Sequence, residues 1–257
     1  MGTTWRGLAA GALAVAACSW PAAAAVTVVR APAVVTYRTF DPDMPPADMP
    51  KLNPGESAVC ASAFRASAEL KYTSTARPPP RSAGGAGRHK VDLAVDDVRL
   101  ELGLTVDVWL PAGASEKLKA HEDGHRRIAE RVYDEVAERA ARAAATALDG
   151  RRLNTDGPTA QAAADAAEAA LSKAQGDAIQ AYLDGTSRAG QKVQDAYDAA
   201  TSHGRRAEVA EGDAIRKAWD DHAVDLGLRP AAPATGPAGT TTRPAAASRP
   251  ATTRAAR

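Results

Sequence analysis

The 257-residue chain is 45% hydrophobic but only 4% aromatic, and its 32 Lys and Arg residues nearly balance its 31 Asp and Glu residues. This balance creates no overall positive field, so we expect no nucleic-acid partner. The length suits one domain of ordinary size with appendages, which we place at residues 26–226. The abundance of alanine favours a thin, helix-rich core.

The first 25 residues have the pattern of a signal peptide. Arg6 supplies a positive charge, residues 8–17 are mainly apolar, and residues 23–25 are alanines suited to a cleavage site. The apolar run is too short for a permanent anchor, and we expect no transmembrane helix in the mature chain. The mature protein is therefore expected to be exported, either periplasmic or secreted.

A second processing pattern overlaps the first. Residues 15–18 read Val-Ala-Ala-Cys, which matches the processing site of bacterial lipoproteins and would leave a lipid anchor on Cys18. Pro21, before the alanine run, favours the soluble product over the membrane-anchored one. With either product Cys60 is the only remaining thiol, so no internal disulfide is expected.

The region after the export signal predicts a small sheet. Residues 26–40 are rich in Val and Thr but contain Pro32, which indicates an edge strand or two short ones. Residues 60–72 alternate in a way that favours a half-buried strand, although their alanines leave a helix open. The clearest strand covers 98–110, where Leu and Val occupy every second position. Loops are expected at 41–54 and 77–89.

The following region predicts four helices. Ser115 can cap the first, which we expect to continue to Leu148. A turn at 151–158 precedes a second helix, capped by Thr159 and closed at 184–185. The third and fourth helices are expected at about 187–202 and 207–226.

The last segment, 227–257, has the composition of a disordered tail. It consists mainly of Pro, Ala, Thr, Gly and Arg and contains no acidic residue. Such a segment cannot bury enough apolar surface to offset the entropy lost on ordering.

The first predicted helix contains the motif His121-Glu122-Asp123-Gly124-His125. Histidines four residues apart lie on one helix face and can bind the same Zn²⁺ ion. Glu122 lies beside them, where it can act as a general base on a metal-bound water. The histidines share an apolar stripe with Leu118, Ile128 and Val132, so they are expected to face the core. The alternative is a pair of core histidines without a metal.

A catalytic zinc site needs a third protein ligand and an open position. Two carboxylates on the motif helix itself are poorly placed to supply that ligand, so a packed neighbouring helix is the better source. The candidates are Glu130, Glu135, Asp195, Asp198, His203 and His222.

Two motifs together resemble a bacterial family of putative secreted zinc-dependent peptidases that was first described as a domain of unknown function. They are the His-Glu-x-Gly-His of residues 121–125 and the Tyr-Asp-x-x-Thr-x-His-Gly of residues 197–204. The likeness covers roughly residues 26–219 and is specific at the two motifs.

The resemblance implies roles for three residues of the second motif. It favours His203 as the third zinc ligand, whose alternative is a histidine that satisfies carbonyls at its own helix end. Asp198 is next, as a ligand or as the carboxylate that orients an imidazole. Tyr197 is a catalytic candidate that would donate to a developing oxyanion, and its alternative is ordinary packing.

These expectations combine into an α+β fold with a small N-terminal, mostly antiparallel sheet, followed by a zincin-like helical half that carries the motif helix. The expected function is that of an exported zinc metallopeptidase with a peptide or protein substrate. A non-catalytic metal-binding or scaffold protein of the cell envelope is the first alternative. A helical periplasmic interaction protein with an accidental motif is the second.

Overall fold

The computed structural model describes residues 25–53, 55–80, 87–206 and 208–228. Residues 1–24 of the predicted signal peptide, which include Cys18, lie outside this part. Residues 229–257 of the predicted tail also lie outside it. Within it, the chain is a mixed α/β structure of five strands and four helices. The strands are β1 (Ala25–Arg30), β2 (Val34–Phe40), β3 (Val59–Arg77), β4 (His89–Pro111) and β5 (Arg152–Gly157). The helices are α1 (Glu116–Glu135), α2 (Ala137–Thr146), α3 (Ala160–Thr201) and α4 (Glu211–His222).

β4 is the central strand of the sheet. β3 pairs with it antiparallel along one edge, from Val59 opposite Trp109 to Arg77 opposite Lys90. β5, β1 and β2 follow one another along the other edge; β5 is antiparallel to β4, whereas β1 and β2 are parallel to it. The expectation of a mostly antiparallel sheet is therefore not confirmed. Residue periodicity predicts that a segment is a strand but not which edge of a neighbour it joins.

β1 and β2 form one interrupted edge strand, as Pro32 predicted. Arg30 pairs with Leu102 and Val34 pairs with Thr105. Between these two pairs the β1–β2 segment advances by four residues (34 − 30), whereas β4 advances by three (105 − 102). The β1–β2 segment therefore contains one residue more than the part of β4 that it faces. Pro32 lies at this irregularity because it has no N–H to contribute to a ladder.

The strands predicted at 60–72 and 98–110 are confirmed, and both are longer than expected. Every second residue from Val98 to Val108 is at most 2% exposed, which is the predicted one-sided burial. The turn expected at 151–158 is wrong, because β5 occupies most of it and pairs with the start of β4. β5 has little apolar alternation of its own, so its extended form depends on the ladder that β4 offers.

α1 begins where Ser115 predicted, with the Ser115 Oγ accepting a hydrogen bond from the Leu118 amide at 3.2 Å. The single helix expected as far as Leu148 is wrong, because it is divided at Val136 into α1 and α2. The φ of Val136 is −113°, whereas an ideal helical residue has about −63°. Val136 is also buried, so packing holds the break in place.

α3 is one helix of 42 residues where two were expected. Thr159 caps it as predicted, with its Oγ1 accepting from the Ala162 amide at 3.1 Å. Gly185 does not end the helix, although an interior glycine costs about 1 kcal/mol relative to alanine. Tyr182 and Thr186 beside it are 0% exposed, and their burial offsets that cost. The helix ends at Thr201, close to the predicted end.

Two apolar clusters surround α1. One lies between the sheet and helices α1, α2 and α3. The other joins α1, α3 and α4, and it includes Tyr197 together with Ile215 and Trp219 of the fourth predicted helix. α1 is therefore packed between the sheet and α3, which brings the first half of α1 beside the last turns of α3.

Candidate metal centre

Helices α1 and α3 bring three side chains to one point. His121 Nε2 lies 3.2 Å from His125 Nε2, and Asp198 Oδ1 lies 3.3 and 3.0 Å from these two nitrogens. The two histidine side chains are 5% and 11% exposed and the Asp198 side chain is 22% exposed. The pair predicted from the first motif thus meets the aspartate of the second, in a group that could hold a metal ion.

The donor atoms themselves fit a bound cation. Asp198 Oδ1 is buried and has no hydrogen-bond partner among the described residues, a costly state for a carboxylate oxygen. Burial alone would raise the pKa of Asp198, but the contacts with His121 and His125 outweigh it and hold this pKa below its ordinary value. An ionised carboxylate and two imidazole nitrogens that converge on one point are a typical donor set for a divalent metal.

Each imidazole has a second contact that sets its orientation. His125 Nδ1 lies 2.6 Å from Gln194 Oε1, an atom that only accepts, so Nδ1 carries the proton and Nε2 is free for a ligand. His121 Nδ1 has a longer contact of 3.5 Å with Thr201 Oγ1, whose own proton goes to the Tyr197 carbonyl at 2.9 Å. Both rings therefore turn Nε2 towards Asp198.

Gln194 was not singled out from the sequence. It lies four residues before Asp198 on α3, the same spacing that places the two histidines on one face of α1. This spacing is the signal that could have identified it.

Glu122 is buried beside the histidines and lines the same cavity, which has a volume of about 400 Å³. Burial raises the pKa of Glu122, although the nearby His125 and His121 act in the opposite direction. A carboxyl group in this position can accept a proton and return it. The sequence prediction placed Glu122 next to the two histidines, and its side chain lines the cavity beside them.

Tyr197 lies behind His121. Its ring stacks on the His121 ring at a centroid distance of 5.1 Å and an interplanar angle of 13°, and it is 0% exposed. Its hydroxyl donates to Glu211 Oε2 at 2.6 Å, and Lys117 Nζ donates to Glu211 Oε1 at 2.6 Å. Burial first, and then the hydrogen bond to Glu211, raise the pKa of Tyr197. These contacts fit the packing alternative considered for Tyr197, and its role as an oxyanion donor stays a prediction.

Glu211 was not identified from the sequence. It comes from the first turn of α4, whose position against α1 and α3 is set by tertiary packing alone.

The glycines of both motifs allow close approaches at this point. A Cβ on Gly124 would lie 2.1 Å from the Tyr197 hydroxyl oxygen, so only glycine lets this ring reach α1. Gly204 has a φ of +74°, and a Cβ there would lie 2.9 Å from His121 Cγ. The two glycines therefore permit the contacts that fix the His121 ring.

His203, the third ligand favoured by the resemblance, lies at the rim of the site. Its side chain is 54% exposed, and its Nδ1 is 3.7 Å from Asp198 Oδ1. Its φ of +53° belongs to the left-handed turn that ends α3. His203 lines the cavity but is not part of the three-residue group.

The other ligand candidates have polar partners elsewhere. These pairs are Glu130 with Arg126, Glu135 with Arg131, Asp195 with Gln191, and His222 with Asp225.

Comparison with models of protein families finds no match for this chain, and neither do comparisons with curated proteins and with solved structures. The family resemblance seen in the two motifs therefore stays a prediction. None of the described helices is both long and apolar enough to cross a membrane.

Proposed function

We propose that this protein is an exported zinc-dependent peptidase. The observation that carries the proposal is the convergence of His121 Nε2, His125 Nε2 and Asp198 Oδ1 within 3.0–3.3 Å, with Glu122 in the same cavity. The first motif predicted the two histidines and the glutamate, and the fold brings to them Asp198, one of the sequence-based candidates for the third ligand.

The spacing of the three donor atoms fits the tetrahedral geometry of zinc. Metal–ligand bonds of about 2.0–2.1 Å at tetrahedral angles separate the ligand atoms by about 3.3 Å. The three observed separations are 3.2, 3.3 and 3.0 Å. Three protein ligands also leave one position of a tetrahedral site open, which is the arrangement of catalytic rather than structural zinc. We therefore propose Asp198 as the third ligand in place of His203.

The bound ion would supply Lewis-acid chemistry, polarising a peptide carbonyl and acidifying a water molecule. Glu122 would accept the proton of that water and later deliver it to the leaving amine. Its position in the cavity beside both imidazoles suits both steps, because the carboxyl group must hold the proton between them. Gln194 and Thr201 would keep the imidazoles in the tautomers that leave Nε2 unprotonated.

One observation favours the alternative of a non-catalytic metal-binding or scaffold protein of the cell envelope. The Tyr197 hydroxyl is bound to Glu211 rather than directed into the cavity, so no oxyanion donor of the predicted kind faces the metal group among the described residues.

Metal analysis tests the ligand set. Purified full-length protein should contain about one zinc per chain, and Glu122→Gln and His203→Ala should retain it. His121→Ala and Asp198→Ala should lose it, because two remaining donors bind zinc weakly. Zinc that persists in Asp198→Ala but disappears in His203→Ala would assign the third ligand to His203. A wild-type protein that takes up no zinc would contradict the whole proposal.

Cleavage of a peptide library, followed by mass spectrometry, tests the activity. The wild-type protein should cleave, a chelator should abolish cleavage, and Glu122→Gln should lower the rate by about 10²–10⁴-fold while keeping zinc. Zinc-loaded protein that cleaves no peptide would instead support the non-catalytic alternative.

A further inference from the structure

The wall of the cavity beside the metal group is lined by the turn after α3 and by the segment that leads into β3. Gly204, Arg205, Gly55 and Glu56 line this wall. Arg205 directly follows Gly204, which packs against the His121 ring. The backbone of Arg205 is therefore adjacent to the contact between Gly204 and His121.

Lys117 and Glu56, two other charged groups of the cavity, have close partners. Lys117 Nζ lies 2.6 Å from Glu211 Oε1. The Glu56 carboxylate accepts hydrogen bonds from the backbone and side-chain amides of Asn53, both at 2.9 Å. Asp198 Oδ1 lies 3.3 and 3.0 Å from the two imidazole nitrogens and belongs to the proposed ligand set.

Arg205 has no such partner among the described residues. Within the described part of the chain, no carboxylate oxygen lies within 4.0 Å of its guanidinium, and its side chain makes no hydrogen bond. The adjacent Arg206 differs, because it pairs with Glu208 at 3.3 Å and donates to the Ala200 carbonyl. Arg205 therefore lines the cavity as a cation without an ion-pair partner among the described residues.

The segment opposite Arg205 leaves space for this guanidinium. Gly55 has a φ of +89°, and a Cβ there would lie 3.3 Å from Arg205 Nη2. A side chain at position 55 would crowd the guanidinium, whereas glycine lets it lie along the backbone at the rim of the cavity. The planar guanidinium can then present its remaining N–H groups to the cavity in the fork that matches a carboxylate.

We propose that Arg205 binds a carboxylate of the peptide that occupies the cavity. This inference rests on the proposed peptidase function and names its substrate class, namely peptides that carry a negative charge close to the metal-bound residue. The carboxylate has two possible sources, the C-terminus of the peptide or an Asp or Glu side chain. Both present the same planar anion to the guanidinium.

Binding to a non-cleaving protein tests the inference separately from catalysis. Zinc-loaded Glu122→Gln protein is immobilised and offered three pools of random tetrapeptides. One pool has a free C-terminal carboxylate and no acidic side chain, the second has a C-terminal amide and one Asp or Glu, and the third has a C-terminal amide with Asn or Gln instead. The same pools are offered to proteins that also carry Arg205→Ala or the control Arg206→Ala.

At least one carboxylate pool should be retained about tenfold more strongly than the Asn/Gln pool. The pool that is enriched identifies the source of the carboxylate. This preference should disappear in Arg205→Ala and persist in Arg206→Ala. It should also weaken between 50 and 500 mM salt, because the guanidinium is exposed and the Debye length falls from about 14 Å to about 4 Å. The inference would be overturned if all three pools were retained equally or if no pool were retained. Enrichment of a carboxylate pool that survives Arg205→Ala would overturn it as well.

Cleavage by the wild-type protein is recorded in parallel. Cleavage without a carboxylate preference would leave the peptidase proposal standing and remove the role of Arg205. Carboxylate binding without cleavage would keep the role of Arg205 and contradict the peptidase proposal.

Discussion

Gly124→Ala provides a sharp test of how the site is assembled. Gly124 lies in the interior of α1, where alanine is normally more stable than glycine by about 1 kcal/mol. Here the added Cβ would lie 2.1 Å from Oη and 2.5 Å from Cζ of Tyr197. Tyr197 is fully buried and stacks on His121, so its ring can move only by disturbing the group formed by His121, His125 and Asp198.

The net effect can be worked out from these contacts. Overpacking of a buried position costs about 1–3 kcal/mol. Loss of the hydrogen bond between Tyr197 and the charged Glu211 costs about 1.5–3 kcal/mol more. After the helix-propensity gain of about 1 kcal/mol is subtracted, Gly124→Ala should lower the free energy of unfolding by about 1.5–5 kcal/mol.

The matched control is Gly176→Ala in α3. Gly176 is exposed, and a Cβ there would meet no atom within 4 Å. The same substitution should therefore raise the free energy of unfolding by about 0.5–1 kcal/mol.

Denaturant unfolding and thermal melts, both in a chelator, would compare the two variants without a contribution from bound metal. At about 2–4 °C per kcal/mol, Gly124→Ala should melt roughly 3–20 °C below the wild-type protein and Gly176→Ala a few degrees above it. A Gly124→Ala protein as stable as Gly176→Ala would refute the close packing of Tyr197 against α1.

Three further predictions concern the thiol, the tyrosine and a helix cap. Burial raises the pKa of Cys60 to about 12, whereas the thiol of the unfolded chain has an ordinary pKa of about 8.5. In a Cys18→Ser background at pH 8, iodoacetamide should therefore alkylate the folded protein roughly 10³-fold more slowly than the urea-unfolded protein. Tyr197→Phe should keep the stacking but lose the bond to Glu211, lowering the free energy of unfolding by about 1.5–3 kcal/mol. In peptide cleavage its kcat should stay within about threefold of the wild-type value, whereas a fall of about 10²-fold at constant KM would restore Tyr197 as an oxyanion donor. Thr159→Ala should cost about 1 kcal/mol by removing the cap of α3, and Thr159→Ser should not; equal melting temperatures for all three proteins would contradict the cap.

Local patterns in the sequence determined much of the secondary structure. The alternation at 98–110 marked the central strand because one buried face requires a period of two. Ser115 and Thr159 marked helix starts because their side chains satisfy amides that a helix leaves free. Pro32 marked the break between β1 and β2 because it removes a ladder donor. In each case the cause lies within a few residues of the effect.

Other features escaped prediction because their cause is distant in sequence. β5 is a strand because its backbone pairs with β4, although residues 151–158 have the composition of a turn. α3 continues through Gly185 because buried neighbours offset the cost of glycine. The parallel direction of β1 and β2 depends on the edge of β4 that they join.

The candidate site divides in the same way. The sequence by itself determined the pair His121 and His125 with Glu122 between them, because a spacing of four on a helix fixes the shared face. Only the tertiary structure brought Asp198 to these histidines and placed Arg205 at the cavity, because the packing of α3 against α1 decides which of several polar residues comes within reach. Spacing acts through the rigid geometry of one helix, whereas the choice of a partner from another helix depends on how all the intervening side chains pack.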